Sequence, residues 1–260
     1  MHPVAFDIGG FAIHWYGVFL ALGVVAGIWT ASRRCVFDKL QPMVITDLAP
    51  WLVGGVIVGA RALYVATYWR SQFAGQPLWQ IFNLRNGGLV FYGGLIGAVV
   101  TTYLYLHIKK QPVWKVADAL APSIALGHAI GRIGCLMFGC CYGRVCELPW
   151  ALHFPAGHES HPYGVHPTQI YESLLNFGLY LSLAWLYRRK KFNGQIFGTY
   201  LVSYALIRSF VELFRGDYAP AQYHLGGWFT PAHFASIGIL VVGGLLLWKL
   251  SPRSPGRGTS

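Results

Sequence analysis

At 260 residues, 55% hydrophobic and only 11% charged, the chain departs from the roughly 25% charged composition of soluble domains. A mean hydropathy of +0.45 and 32 glycines exclude an ordinary soluble fold and point to helices threaded through a bilayer. The net charge of +11 does not indicate nucleic acid, because the basic residues form short clusters between apolar runs, such as Arg33-Arg34, Lys109-Lys110 and Arg188–Lys191.

The N-terminal MHPVAFDIGG has no basic n-region and does not read as a cleaved signal peptide. Seven apolar runs follow: Phe11–Ala31, Leu48–Trp69, Leu89–His107, Val116–Phe138, Ile170–Tyr187, Ile196–Phe214 and Pro231–Leu250. Each is near the ~20 residues that one crossing requires. The pattern predicts a single all-α integral membrane domain of seven transmembrane helices. With the N-terminus outside and the C-terminus cytoplasmic, 13 of the 20 Lys and Arg fall on the inner side and four in the outer connections. The remaining three, Arg61, Arg132 and Arg208, fall within spans. The outer connections at 70–88 and 139–169 are long and rich in aromatics, Gly, Pro and His. A small outer head is expected within Gly139–Gln169, with residues 251–260 as a cytoplasmic tail.

Charge inside a span costs roughly 2.5–3.5 kcal/mol per residue on insertion scales, so each intramembrane charge asks for a function or a partner. Arg208 and Glu212 are spaced i, i+4 and share a face, with Tyr204 one turn earlier. Arg132 lies toward the outer end of its own span. Two guanidiniums with only Glu212 as a clear intramembrane acid imply a positive pocket open to lipid. A phospholipid phosphodiester suits it, since the planar donor fork of Arg fits phosphate. Arg61 reads equally well as a residue snorkelling to the cytoplasmic side. A proton-coupled transporter would need more internal acids or His relays and related repeats, and neither is evident here.

At this point the chain resembles, end to end, the bacterial prolipoprotein diacylglyceryl transferase family. The matching segments are AIHWYG at 12–17, NGGLVFYGGLIGA at 86–98, GRIGCLMFGCCYGR at 131–144, HPTQIYE at 166–172 and YALIRSFVELFRGD at 204–217. The resemblance implies a multi-pass enzyme of the bacterial cytoplasmic (inner) membrane, with its site toward the outer face. Its partners would be phosphatidylglycerol, the bilayer, and a prolipoprotein signal peptide with a lipobox cysteine; no metal or cofactor is expected. The diacylglyceryl group would pass to the lipobox thiol as a thioether, releasing glycerol-1-phosphate. Residue by residue, Arg132 and Arg208 match arginines that grip the phosphate, and Glu212 the acid that orients Arg208. Tyr16 and Tyr204 match tyrosines lining the site, and Gly143 a signature glycine. Gly93, Gly94, His166 and Arg215 fall in matched segments and are carried as substrate-binding candidates.

Two places depart from the best-known members. Tyr92 stands where they carry a histidine regarded as a candidate base, and Cys135, Phe138 and Cys140 stand where they carry Asn, Asn and Glu. A thiol is only a few per cent ionised at neutral pH, so a base is still needed. Tyr92, ordinarily near 10, is a poor one; His128, four residues before Arg132 on the same helical face, is the alternative. Cys135, Cys140, Cys141 and Cys146 admit a disulfide, apolar packing or a metal site, although C-x4-CC-x4-C is not the usual zinc spacing. The competing functions are a non-catalytic lipid-binding or assembly homologue and a lipid transporter.

Overall fold

The computed structural model describes residues 4–8, 11–84, 87–217 and 230–252. They fall into two compact units, Met1–Arg34 with Ala117–Ser260, and Cys35–Val116. Among the described residues the long helices are α1 (Trp15–Phe37), α2 (Met43–Tyr68), α3 (Phe91–Ile108), α4 (Val113–Phe138), α5 (Thr168–Tyr187), α6 (Gln195–Glu212) and α7 (Pro231–Leu250). Arg85, Asn86 and residues 253–260 of the expected tail lie outside the described residues.

Five of these helices are long and apolar enough to cross a membrane: α1, α2 with the turn that prolongs it to Phe73, α3, α4 and α7. Their large apolar side chains face outward, as with Trp51, Val58, Phe91 and Trp248, which suits lipid as solvent. Helices α5 and α6 fall short in hydropathy because they carry buried polar side chains: Gln169, Glu172 and Asn176 on α5, and Glu212 on α6.

The chain is mainly helical, as expected, and two short strand pairs accompany the helices. Strands β1 (Val4–Ile8) and β2 (Phe11–His14) form an antiparallel hairpin, so the first apolar run begins as strand and becomes helix only at Trp15. A Gly-Gly dipeptide between two short β-branched and aromatic runs is a hairpin pattern, and here it outweighs the apolar run. Strands β3 (Leu152–His153) and β4 (Gly164–Val165) pair within the expected head.

In the Cys35–Val116 unit, α2 and α3 meet along Gly55, Gly59, Gly93 and Gly97. A Cβ on Gly59 would strike the Gly93 carbonyl oxygen, and one on Gly93 would strike that of Gly59. The small-xxx-small pairs thus let the two backbones touch. Gly94 is buried on the same seam, against Val56 and Ala60. Arg61 turns toward the connection between α2 and α3. Its Nε and Nη2 donate to the carbonyls of Ile81 (2.7 Å) and Gln80 (2.8 Å), and its Nη1 to those of Gly87 (2.9 Å) and Gly88 (3.1 Å). Four carbonyls left open in an irregular connection are better partners than distant water.

In the other unit, α1 crosses α4 where Gly23 meets Gly127. Thr30 and Arg34 of α1 both reach the Ser123 hydroxyl, at 2.8 and 2.9 Å. Arg34, expected in an exposed inner loop, is therefore a buried residue of α1. Asp118, near the start of α4, is fully buried. It accepts from the Gly194 and Phe197 amides (2.9 and 3.0 Å) and pairs with Lys190 (3.3 Å). A carboxylate from α4 thereby caps the N-terminus of α6, satisfying two orphan donors and facing the positive end of the helix dipole.

Candidate active site

Helix α5 begins at Thr168, directly after His166-Pro167, as the HPTQ motif predicts. Thr168, Glu172 and Asn176 repeat every four residues and form one buried polar stripe, with Gln169 beside it. The stripe faces α4 and the segment that follows it. Ser173 Oγ donates to the Ala129 carbonyl at 2.8 Å, which sets the depth of α5 against α4.

Glu172 is the hub. Its Oε1 accepts from Arg132 Nη2 at 2.9 Å and lies 3.0 Å from His128 Nε2, while Arg132 Nε stands 3.1 Å from that same ring nitrogen. One nitrogen cannot donate to the carboxylate and accept from the guanidinium together. When Nε2 carries the proton it donates to Glu172, and the ring's lone pair sits on Nδ1. The Glu172 carboxylate is buried, with Arg132 and His128 partly so. The expected positive pocket around an unpaired Arg132 is thus corrected: the guanidinium has a carboxylate partner, supplied by a helix whose acid the apolar-run reading left unassigned. The signal for it was present in the fourfold spacing of polar residues in TQIYESLLN.

On α6, Arg208 Nη1 pairs with Glu212 Oε2 at 2.5 Å, on the shared face that the i, i+4 spacing predicts. Thr230 Oγ1 donates to Glu212 Oε1 at 2.6 Å. Thr230 is also the N-cap of α7, closing a capping box with His233. The ends of α6 and α7 are thereby fastened at Glu212. Tyr204, one turn before Arg208, places its ring 5.5 Å from that of His128, and Glu172 lies within electrostatic reach of Arg208. Hence His128, Arg132, Glu172, Tyr204, Arg208 and Glu212 form one neighbourhood.

Between α4 and α5 a cavity of ≈ 200 Å³ is lined by Arg132, Ile133, Leu136, Gln169, Ile170, Ser173 and Leu174. It is an apolar slot with a guanidinium in its wall. Tyr16, in the first turn of α1, stands near Gly134 and Phe138 at the end of α4.

Gly143 donates its amide to the His166 carbonyl at 2.9 Å, and His166 donates to the Arg144 carbonyl at 3.0 Å. A Cβ on Gly143 would lie 2.5 Å from His166 Cβ and 2.7 Å from both the His166 and Phe214 carbonyl oxygens. Here glycine is required by close backbone approach. The His166 ring meets Tyr171 edge-on and lies tilted against Phe214, and Tyr171 Oη accepts from Trp150 Nε1 at 2.8 Å. Arg215 is buried and held by both oxygens of Asp217, at 2.8 and 2.6 Å. Tyr92 is half-exposed in the first turn of α3, and with Gly93 and Gly94 belongs to the Cys35–Val116 unit.

All five cysteines are free thiols. In the 139–169 segment, burial and a 2.9 Å hydrogen bond to Glu159 Oε2 push the Tyr142 phenol up to about 12.

A profile of the family described as prolipoprotein diacylglyceryl transferase matches residues 3–249. A curated relative from Finegoldia magna is 38% identical over 250 residues, covering 96% of both chains. Relatives from Agrobacterium fabrum (34%, covering 95% of this chain and 90% of the relative) and Gloeobacter violaceus (33%, 97% and 94%) are also similar. All three are named phosphatidylglycerol–prolipoprotein diacylglyceryl transferase. The chain belongs to the prolipoprotein diacylglyceryl transferase family.

Proposed function

We infer that the chain is an enzyme that transfers the diacylglyceryl group of phosphatidylglycerol to the lipobox cysteine thiol of a prolipoprotein. The support is family membership over nearly the whole chain, together with the carboxylate-paired Arg132 in the wall of an apolar slot. The thiolate sulfur attacks the glyceryl carbon that bears the phosphate, a C–S bond forms and that C–O bond breaks. The phosphate oxygen keeps the electron pair and leaves as glycerol-1-phosphate. We further read the seven helices as seven spans of the bacterial cytoplasmic membrane, with the N-terminus and the site on the outer side.

The geometry is consistent with a role for each residue. Arg132 and Arg208 each have a carboxylate partner that fixes the guanidinium, and a planar guanidinium fork suits phosphate. Two internal ion pairs cost less to bury than two lone cations. The bound phosphodiester then adds one negative charge to a cluster that is otherwise balanced. His128, with Nε2–H held by Glu172, is oriented to accept the thiol proton at Nδ1, and the resulting imidazolium offsets the second negative charge that the phosphate gains as it leaves. Ile133, Leu136, Ile170 and Leu174 offer the acyl chains an apolar wall.

The test is complementation of a strain depleted of its own transferase, read as the mass shift of a model prolipoprotein. The wild-type chain should restore the diacylglyceryl mass and Arg132→Ala should not. Equal behaviour of the two would defeat the enzyme reading and leave a lipid-binding or assembly role.

A further inference from the structure

The thiols of Cys135, Cys140 and Cys141 all lie within 4.8 Å of one another, although their spacing does not match a common metal motif. The backbone that brings them together is specific. Helix α4 ends at Phe138, Gly139 turns left-handed at φ +85°, and Cys141 adopts φ +63°, a conformation rare for a residue with a Cβ. The turn is pinned from α5: Gln169 Nε2 donates to the Cys140 carbonyl at 2.7 Å, and Thr168 Oγ1 to the Cys141 carbonyl at 2.6 Å. Two buried side chains thus hold an unfavourable backbone that points sulfurs at one place.

We propose that Cys135, Cys140 and Cys141 form a three-thiolate site for a soft d10 cation such as Zn(II) or Cu(I). Metal–sulfur bonds of about 2.3 Å separate sulfurs on one ion by roughly 3.8–4.0 Å, so small side-chain rotations close the triad on an ion. A disulfide would need sulfurs about 2.05 Å apart and would leave one of the three unmatched. Binding releases the three thiol protons to solvent and forms three metal–sulfur bonds. With a divalent ion the unit carries one negative charge, and Arg132 Nη1, 4.0 Å from Cys135 Sγ, offsets it. The same contact places the ion one helical turn from the proposed phosphate-binding guanidinium, so loading the site restrains Arg132.

Titration of the full chain tests this, purified in detergent, reduced and stripped with chelator. Cd(II) is the probe, read by its thiolate charge-transfer absorption. One equivalent should saturate the band with micromolar or tighter affinity and protect three of the five thiols from maleimide. Cys135→Ser, Cys140→Ser and Cys141→Ser should each weaken binding about tenfold or more, while Cys35→Ser and Cys146→Ser leave it unchanged. The melting temperature of each variant identifies loss of fold, and thiol protection in the wild-type chain decides the matter if a variant fails to fold. No saturable band at one equivalent, a band that survives replacement of all three residues, or a disulfide among them trapped by alkylation in native membranes would overturn the proposal.

Discussion

Arg132 donates from Nη2 to Glu172 Oε1 at 2.9 Å across forty residues of sequence, and this bond makes the two helices one site. The same oxygen lies 3.0 Å from His128, so a single carboxylate aims both the guanidinium and the imidazole. Glu172→Gln keeps the shape and removes the charge. Turnover in phosphatidylglycerol vesicles should fall by ~10–100-fold, as expected for loss of an orienting partner. Unchanged turnover would separate Glu172 from the chemistry.

His128→Gln should lower kcat by ~10²–10⁴-fold, the usual contribution of a general base, with KM for lipid little changed. A double variant that adds Tyr92→His should recover part of the rate if the imidazole has moved between helices. Near wild-type kcat in the single variant would assign deprotonation elsewhere.

Asp118→Ala removes the acceptor of two backbone amides and the partner of Lys190. Breaking a buried pair costs about 3–5 kcal/mol. The thermal midpoint in detergent should fall markedly, while kcat of the folded fraction stays close to wild type because the partners of Asp118 are Gly194, Phe197 and Lys190, away from the site.

Gly143→Ala should act through folding. The added methyl meets one side-chain carbon and two carbonyl oxygens at 2.5–2.7 Å, and overpacking of this kind costs about 1–3 kcal/mol. Reduced folded yield with unaltered lipid KM is the expected result.

The Tyr142 phenol is raised by burial first and by Glu159 second. A raised phenol stabilises the folded state fully below the unfolded value near 10, and that contribution is lost as pH rises toward about 12. The tyrosinate difference spectrum between wild type and Tyr142→Phe should therefore titrate well above 10, and Glu159→Gln should move it down.

The helices were legible because long apolar runs have few other uses, and the Arg208–Glu212 pair because i, i+4 spacing is a local geometry. Glu172 was harder to see. Its partners are 40 and 44 residues away, and the chain carries no mark of which helices adjoin. The same holds for Asp118, whose role as a cap depends on a loop 76 residues later. The partners of Arg61 were hidden for a related reason: its four carbonyl acceptors belong to an irregular connection that hydropathy cannot describe. The β1–β2 hairpin was hidden because its second strand is as apolar as the helix it leads into.

The most direct test of the central claim uses purified wild-type and Arg132→Ala chains, phosphatidylglycerol vesicles and a synthetic lipobox peptide. Peptide mass and released glycerol phosphate are measured together. The account predicts one glycerol phosphate per diacylglyceryl-peptide for the wild type, and a loss of ~10²–10³-fold or more in both for Arg132→Ala. Equal rates in the two chains, or peptide modification without phosphate release, would contradict it.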